Sequence, residues 1–426
     1  AVTLACGATQ TGFGRTGTVN WVTTKKTANF TAVSGEGYFC DTAASGAFTL
    51  TLPSSPSAGN IVGLKDYNGN FATANLTIGR GGSPINGGSA ADVVISTAGA
   101  SIFLVYVDAT QGWVATQDDS SVFSGESFVV ATGGTITQDG NDKIHTFTGP
   151  GTFTVCSVAA CAANNLISYM VVAGGGGSGG DSGGGGGAGG FREVKSPATP
   201  YTASPLDGYP SAPNRITVTA TGFPITVGGG GSGGAGAPPS GTPGAGAQGT
   251  PSVFSTITST GGGLGGNRPS VNGGSGGSGG GARTQGGSAG SGNTPPVTPS
   301  QGFDGAGATP TPTGNSGGGG GATALGVYNT TPACSAGGPG GAGATTSING
   351  TPTAFAGGGG GGGSSGPAQV GGTGGVGGGG NGAQGSAPAT GNAGTDNTGG
   401  GGGGGGDDAT GGAGGSGIVI IRYRFQ

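Results

Sequence analysis

Residues 399–408 read GGGGGGGGDD, and similar runs fill the second half of the chain, at 174–180, 183–190, 228–237, 261–266, 273–281, 286–292, 317–321, 337–343, 357–366, 371–380 and 411–417. Nothing else in the sequence restricts the fold as much. A run of bare glycine has almost no apolar surface to bury, so an oily core cannot organise it. Each glycine also gives up more backbone freedom on folding than any other residue. The distribution is uneven: residues 1–172 hold 23 of the 114 glycines, and residues 173–426 hold the other 91. That step marks the main domain boundary.

A flexible linker is the ordinary reading of such composition. Three features oppose it. The region runs from 173 to 426, far beyond the reach a spacer needs. It is bracketed by two apolar strand-like segments, YMVVA before and IVIIRY after, as though its ends meet in one sheet. The runs recur at similar length between spacers of quite different composition. Collagen fails because no strict G-X-Y register is kept. The remaining solution is a bundle of extended left-handed threefold helices (polyglycine II), whose N–H and C=O groups point outward and bond to neighbouring helices. Ordering a residue costs about 1–2 kcal/mol. A net hydrogen bond returns about 0.5–1.5 kcal/mol, with Cα–H···O contacts adding about 0.5–1 each. The balance closes only when nearly every amide is paired, so one run alone stays disordered and about a dozen can hold together.

Before that region the pattern is β. FTLTLP (48–53) sets Phe48, Leu50 and Leu52 on one face, and NIVGLKDYNGN ends in Asn68-Gly69, the usual two-residue hairpin signal. LTIGR, DVVIST, SIFLVYVD and GWVAT add further strands, with Trp21 and Trp113 as core or interface anchors. ESFVVA, GTITQ, KIHTFT, GTFTVC and LISYMVVA form a second group after a polar joint, with a turn at Asp139-Gly140. His145 alternates with Ile144 and Phe147 and reads as a hydrogen-bonded strand residue. The expected fold is therefore an all-β module over 1–118, a small β unit over 119–172, and a glycine-rich domain of packed polyglycine II helices over 173–426. Strands cap the last, and there is essentially no α-helix.

The net charge of −4 comes without any basic block. Nucleic acid and anionic lipid are accordingly poor partners. No apolar run reaches the 18 residues needed to span a bilayer, so membrane insertion is not expected. AVTLACGATQ lacks the basic and apolar regions of a secretory signal; it fits a start trimmed of Met and a cleaved precursor equally. Five cysteines leave at least one unpaired, with Cys6–Cys40 and Cys156–Cys161 as the candidate disulfides and Cys334 left over. With one histidine and no second cysteine pair at ligand spacing, no metal site is expected. No catalytic constellation is visible either. Matches to G-x-G-x-x-G carry no weight in this composition. The neighbouring acids Asp118/Asp119 and Asp407/Asp408 read as solvated, because glycan cleavage needs carboxylates flanking a substrate from different segments. The expectation is a protein without enzyme activity or cofactor.

Three segments, LISYMVVAGGGGSGGDSGGGGGAGGFRE, ITVTATGFPITVGGGGSGGAG and GGAGGSGIVIIRYRF, resemble the glycine-rich domain of phage tail-fibre and adhesin proteins, and DKIHTFTGPGTFTV is similar to the strand pair that introduces it. The likeness covers about 143–426. Residues 20–116 resemble a β module of marine, cyanophage-type tail fibres. These resemblances imply an extracellular virion structural protein that binds a host cell-surface receptor, an outer-membrane protein or a glycan. They also imply contacts with other virion or fibre proteins and a homo-oligomer, a trimer through the β modules. In such adhesins loops on the glycine scaffold touch the receptor. Spacer residues expected in that role are Phe191, Arg192, Tyr201, Asp207, Tyr209, Phe223, Phe254, Phe303, Asp304, Tyr328 and Phe355. Two alternatives stay open: an architectural protein (capsid decoration or a self-assembling extracellular filament) and a bacterial surface adhesin.

Overall fold

The computed structural model describes residues 19–87, 92–116, 128–159, 161–236, 244–268, 272–284, 286–308, 315–329, 336–364, 370–385 and 389–425. The chain divides into two compact units, one over 1–127 with 159–161, the other over 128–158 and 162–426. Among the described residues there is no α-helix, only 3-10 turns at Ala162–Asn165 and Ala212–Asn214.

In the first unit the chain alternates between two sheets. Strands β1 (Asn20–Lys26), β3 (Glu36–Cys40) and β5 (Ile61–Asp66) pair in parallel. β2 (Phe30–Thr31), β4 (Phe48–Thr51) and β6 (Leu76–Gly79) do the same in the facing sheet. β7 (Val93–Ile95) adds antiparallel to β6, and β8 (Ser101–Asp108) and β9 (Gly112–Ala115) close the other edge. Asn68-Gly69 is thus not a hairpin: after β5 the chain crosses to the other sheet. Between the sheets lies an apolar core of Leu50, Leu52, Val62, Leu64, Phe71, Leu76, Ile78, Leu104 and Trp113. Trp21 instead lies half-buried on the outer face, its ring 5.0 Å from Phe39 and 6.0 Å from Phe103.

The second unit opens with β10 (Val130–Thr132), β11 (Thr135–Asp139), β12 (Asp142–Phe147), β13 (Gly151–Ser157) and β14 (Ser168–Val172). These strands, expected as a separate small unit, share their sheets with strands of the glycine-rich region. The latter are β15 (Phe191–Val194), β16 (Gly222–Thr226), β17 (Ser252–Phe254), β18 (Ile257–Ser259), the hairpin β19 (Ala344–Thr346) with β20 (Thr353–Phe355), and β21 (Ile418–Arg424). One sheet runs β11-β12-β21-β14-β15, the other β10-β13-β16-β17-β18. The end of the glycine region therefore returns to its beginning: β21 pairs antiparallel with β14, Val172 opposite Ile418 and Met170 opposite Ile420.

Between β14 and β21 the glycine runs shuttle away from the sheets and back. Their hydrogen bonds have a period of three. Going along 183–190, successive N–H groups donate to the carbonyls of 405, 266, 317, 402, 263, 320, 399 and 260, so three neighbouring runs are visited in rotation. The carbonyls of the same run accept from 173–180, 278–282 and 356–364. Six runs thus surround 183–190, namely 173–180, 260–267, 278–282, 315–322, 356–364 and 398–406, as in a hexagonal array. Run 401–406 repeats the rotation, donating to 357, 176, 392, 360, 179 and 389. Residues 171–190 and 356–364 are buried throughout, without a hydrophobic side chain in most positions. A Cβ on Gly186 would overlap the carbonyl oxygen of Gly176, and one on Gly402 that of Gly412. Outer runs are different. In VGGTGGV (370–376) every third residue, Val370, Thr373 and Val376, faces solvent, because only one of the three directions is free.

His145 on β12 is fully buried opposite Ile421. Its Nδ1 donates to Gly133 O at 2.7 Å, and its Nε2 accepts from the Tyr423 hydroxyl at 3.1 Å. Burial holds its pKa below the ordinary histidine value.

Two substitutions test this packing. Gly402→Ala should destabilise by about 3 kcal/mol or more, since backbone has to move to admit the methyl. Gly229→Ala, where the nearest atom to a new Cβ is Thr250 Oγ1 at 3.9 Å, should be neutral or stabilise by up to about 1 kcal/mol. Denaturant unfolding checks both, and equal effects would contradict the array. Acidification tests the buried histidine. The unfolded histidine takes up its proton first, near pH ~6.5, so stability is complete above that value and falls as pH drops toward the depressed folded pKa. The His145→Gln variant should lack this component, as read by thermal melts between about pH 7 and pH 5.

Candidate binding surfaces

Where the chain leaves a run and enters a sheet, side chains become possible again, and the first ones are apolar. Phe191, Phe254 and Phe355 occupy these junctions and are buried at 1%, 0% and 3% exposure. They are core residues and not loop contacts. Phe254 packs in an aromatic cluster with Phe153, Tyr169 and Phe223, the last half-buried. Arg192 Nη2 donates to Asn214 Oδ1 at 2.6 Å, and Asn214 Nδ2 donates to Thr298 O at 2.8 Å, which ties two spacers to the sheet. Asp207 Oδ1 accepts from the backbone of Lys195 and Tyr209, both at 3.0 Å. Tyr209 carries the Arg215 guanidinium 4.4 Å above its ring. Tyr201 lies half-buried against the core, with the Arg422 guanidinium 5.3 Å from its ring.

These residues surround a buried polar network. The Glu193 carboxylate accepts from Ser204 N at 2.9 Å and from the Thr346 hydroxyl at 2.5 Å, and its burial raises its pKa. Arg422, 1% exposed, donates to Asp142 at 2.7 Å and reaches Asp139 at 2.9 Å. Burial likewise raises the pKa of Asp142. Each of these side chains has a partner inside the fold, with Asp142 Oδ1 alone left without one, and the cluster locks the β19–β20 hairpin and the 195–215 spacer onto the sheets. As a group it does not face outward.

Of the residues expected to contact a receptor, Asp304 and Tyr328 are exposed and Phe303 is half-exposed. They share a flank. Gly326 N donates to Asp304 O, placing run 324–329 beside run 302–308. Run 324–329 also exposes Leu325 (54%), Val327 (48%) and Tyr328 (40%). Val327 N donates to Pro339 O, and run 336–343 in turn donates to 370, 373 and 376. The flank therefore continues through Pro339 to Val370 (50%) and Val376 (71%). On the other outer runs the outward residues include Asn381, Gln384, Asn392 and Thr395. Leu325, Val327, Val370 and Val376 were not among the expected contacts. Val370 and Val376, with Thr373 between them, are marked in the sequence by a residue interrupting glycine at intervals of three; Leu325 and Val327 carry no such mark.

At the end of the bundle away from the sheets, Asp181 and Ser182 reverse the chain with φ of 57° and 53°. Asp181 Oδ2 accepts from Arg268 Nε (3.0 Å) and Nη2 (2.7 Å) and from Arg283 Nη2 (3.2 Å), while Arg283 Nε donates to Asp181 O at 2.8 Å. The turn at Asp407 and Asp408 reaches the same place: one oxygen from each of Asp181, Asp407 and Asp408 lies within 4.8 Å of the others. Partial burial, and then the charges of Asp408 and Asp181, raise the pKa of Asp407. Asp407 is therefore not simply solvated, whereas Asp408 is exposed.

The candidate Cys156–Cys161 disulfide is not formed: Cys156 is an exposed thiol and Cys161 a half-buried one, and Cys40 is a free buried thiol. Cys6, Cys334, Asp118 and Asp119 lie outside the described residues. No helix among the described residues is long and apolar enough to cross a membrane.

No curated protein matches the chain in sequence. A family model described as a glycine-rich domain matches residues 146–424, from β12 to the end of β21 and well over half of the chain. The runs, the strands that bracket them and their closure in one sheet all fall within that match, and the chain belongs to this glycine-rich domain family.

Proposed function

We propose that the protein is a virion structural protein of the tail-fibre or adhesin type, which binds a host cell-surface receptor through a stiff polyglycine II bundle. The observation that carries this reading is the period-three rotation of hydrogen bonds about run 183–190. That periodicity is the one a threefold extended helix imposes. A body held together by its backbone leaves its outward side chains free for recognition, and a rigid carrier limits the ordering cost of binding. The aromatic and apolar flank of Tyr328, Leu325 and Val327, with Asp304 beside it, is the contact surface in this reading, together with the turns at the far end. The first unit joins the chain to other virion proteins, as a trimer. The same largely apolar flank also suits side-by-side assembly into a filament, the architectural alternative.

Tyr328→Ala combined with Leu325→Ser should weaken adsorption to host cells about tenfold or more, the loss of roughly 1.4 kcal/mol expected on removing an aromatic anchor. The melting temperature should stay unchanged, because neither side chain supports the bundle. Adsorption equal to that of the unmodified protein would remove the flank from the receptor contact. Concentration-dependent polymerisation of the purified chain, abolished by the same pair, would favour the filament.

A further inference from the structure

We propose that β11 is an association edge, along which a second copy of the chain pairs antiparallel and extends the sheet β11-β12-β21-β14-β15 across a twofold axis. β11 is the end strand of that sheet, so one side of its backbone has no strand beside it among the described residues. All five of its residues, Thr135–Asp139, are exposed, and its register against β12 is regular from end to end. Natural sheets blunt such edges with bulges, short strands, lysine or proline, or cover them. The other edges follow that rule. β10 has three residues and a register shift at Val130/Ala131. β15 is bridged by Asp207, and β18 keeps Ile257 and Ser259 buried. In the first unit β1 carries Lys25, Lys26 and a register shift, β2 and β7 are two and three residues long, and β9 is bridged by Ile85. TITQD in β11 has none of these devices, and Thr135, Ile136 and Thr137 are β-branched residues that favour pairing.

The order of residues along the edge fits a second copy. Asp139 and Asp142 are the last pair before a two-residue turn, so they bond to each other. Alternation then turns the amides of Thr137 and Thr135 toward β12 and leaves those of Ile136 and Gln138 facing outward. Antiparallel pairing centred on Thr137 sets Ile136 opposite the partner's Gln138, and Gln138 opposite the partner's Ile136, so every free bonding position meets another. Asp139, the one charged residue of the strand, falls opposite the partner's Thr135, and no like charges face each other. A second feature lies on the same side. A cavity of about 270 Å³ opens beside the strand, lined by Val130 of β10, by Ile136, Lys143 and Tyr423 of the facing sheet, and by Phe425. Val130 is 55% exposed and Ile136 45%. Ile136 and Gln138 share the cavity side of the strand, and in the pair the partner's Gln138 and the partner's Ile136 continue that face. The two cavities then join across the axis and the exposed apolar side chains are covered. A bare edge supplies main-chain bonds, and a pocket next to it supplies selectivity.

This contact is independent of receptor binding and of trimer formation by the first unit. The test is sedimentation of the full chain between about 1 and 200 µM, because a strand edge is smaller than a standard interface and the paired form should grow with concentration. Thr137→Lys sets two ammonium groups opposite each other at the axis. It should halve the mass of the assembly with the melting temperature unchanged: dimer to monomer, or hexamer to trimer where the first unit trimerises. The trimer reading can thus fail alone. In a Cys156→Ser background, Thr137→Cys should cross-link two chains on mild oxidation, since facing residues of a pair without mutual hydrogen bonds have Cα atoms about 4.5 Å apart, within disulfide range. Thr135→Cys, which faces the partner's Asp139, should not. A lone chain or a bare trimer at about 200 µM would overturn the proposal, as would an unchanged mass in Thr137→Lys or equal cross-linking from positions 135 and 137.

Discussion

The second unit depends on one interaction, the hydrogen bond from an amide of one glycine run to a carbonyl of the next, repeated in three directions. Each bond contributes little net free energy, and each ordered glycine costs about as much as a bond returns. Such a body is stable only as a whole. A run with six partners, such as 183–190, loses nothing at its edges, whereas a single run would lose most of its pairing. This explains why the chain must close on itself. β14 and β21 lie side by side, so the first and last runs leave the same sheet and no run is left to fray from a free end.

Backbone bonding alone does not say which run belongs beside which, or in what register, because a slip of three residues restores every bond. A few buried polar groups remove that degeneracy. Ser178 Oγ donates to Gly403 O and Gly412 O, and Ser316 Oγ to Ser182 O. Ser252 and Ser259 pin the adjoining strands to Val172 O and Val171 O. Gln301 accepts from Thr260 N and donates to Pro295 O. At the far end Asp181 is clamped by Arg283, 102 residues away. In each case a shifted register would strand a buried hydroxyl, amide or charge, at a cost of about 1–3 kcal/mol or more. Such groups supply specificity where an apolar core would use shape.

The sequence carried the large features because they stem from what glycine lacks. Runs without side chains rule out a hydrophobic interior, and YMVVA and IVIIRY announce a shared sheet that the pairing of Val172 with Ile418 realises. Other features were not legible. Alternation in NIVGLKDYNGN is the same for parallel and antiparallel partners, so Asn68-Gly69 could suggest a hairpin where β5 pairs in parallel with β3. Phe191, Phe254 and Phe355 stand between glycine runs, which suggested loops; they mark the steps where the chain passes from array to sheet and apolar packing resumes. The flank was half-visible. VGGTGGV displays its period of three openly, but the meaning of that period depends on knowing which runs are outermost. The cluster of Asp181, Arg268, Arg283 and Asp407 was invisible, since nothing local connects residues so far apart.

The division between inner and outer runs has a consequence for how such a surface changes. In an inner run all three directions meet backbone, so glycine is fixed at nearly every position and substitution is opposed by overlap with a neighbouring carbonyl. In an outer run one direction in three meets water, and the residue there can be Val, Thr, Asn, Pro or Ala with little effect on the bonding beneath. Pro339 makes the point: it sits in an outer run, where its missing N–H takes nothing from the array, and its carbonyl still accepts from Val327. Stability and the choice of outward side chains therefore reside in different residues, which is uncommon in a protein held by a hydrophobic core. On the proposed reading, a binding flank built from such outward positions can be rewritten almost residue by residue while the carrier stays the same.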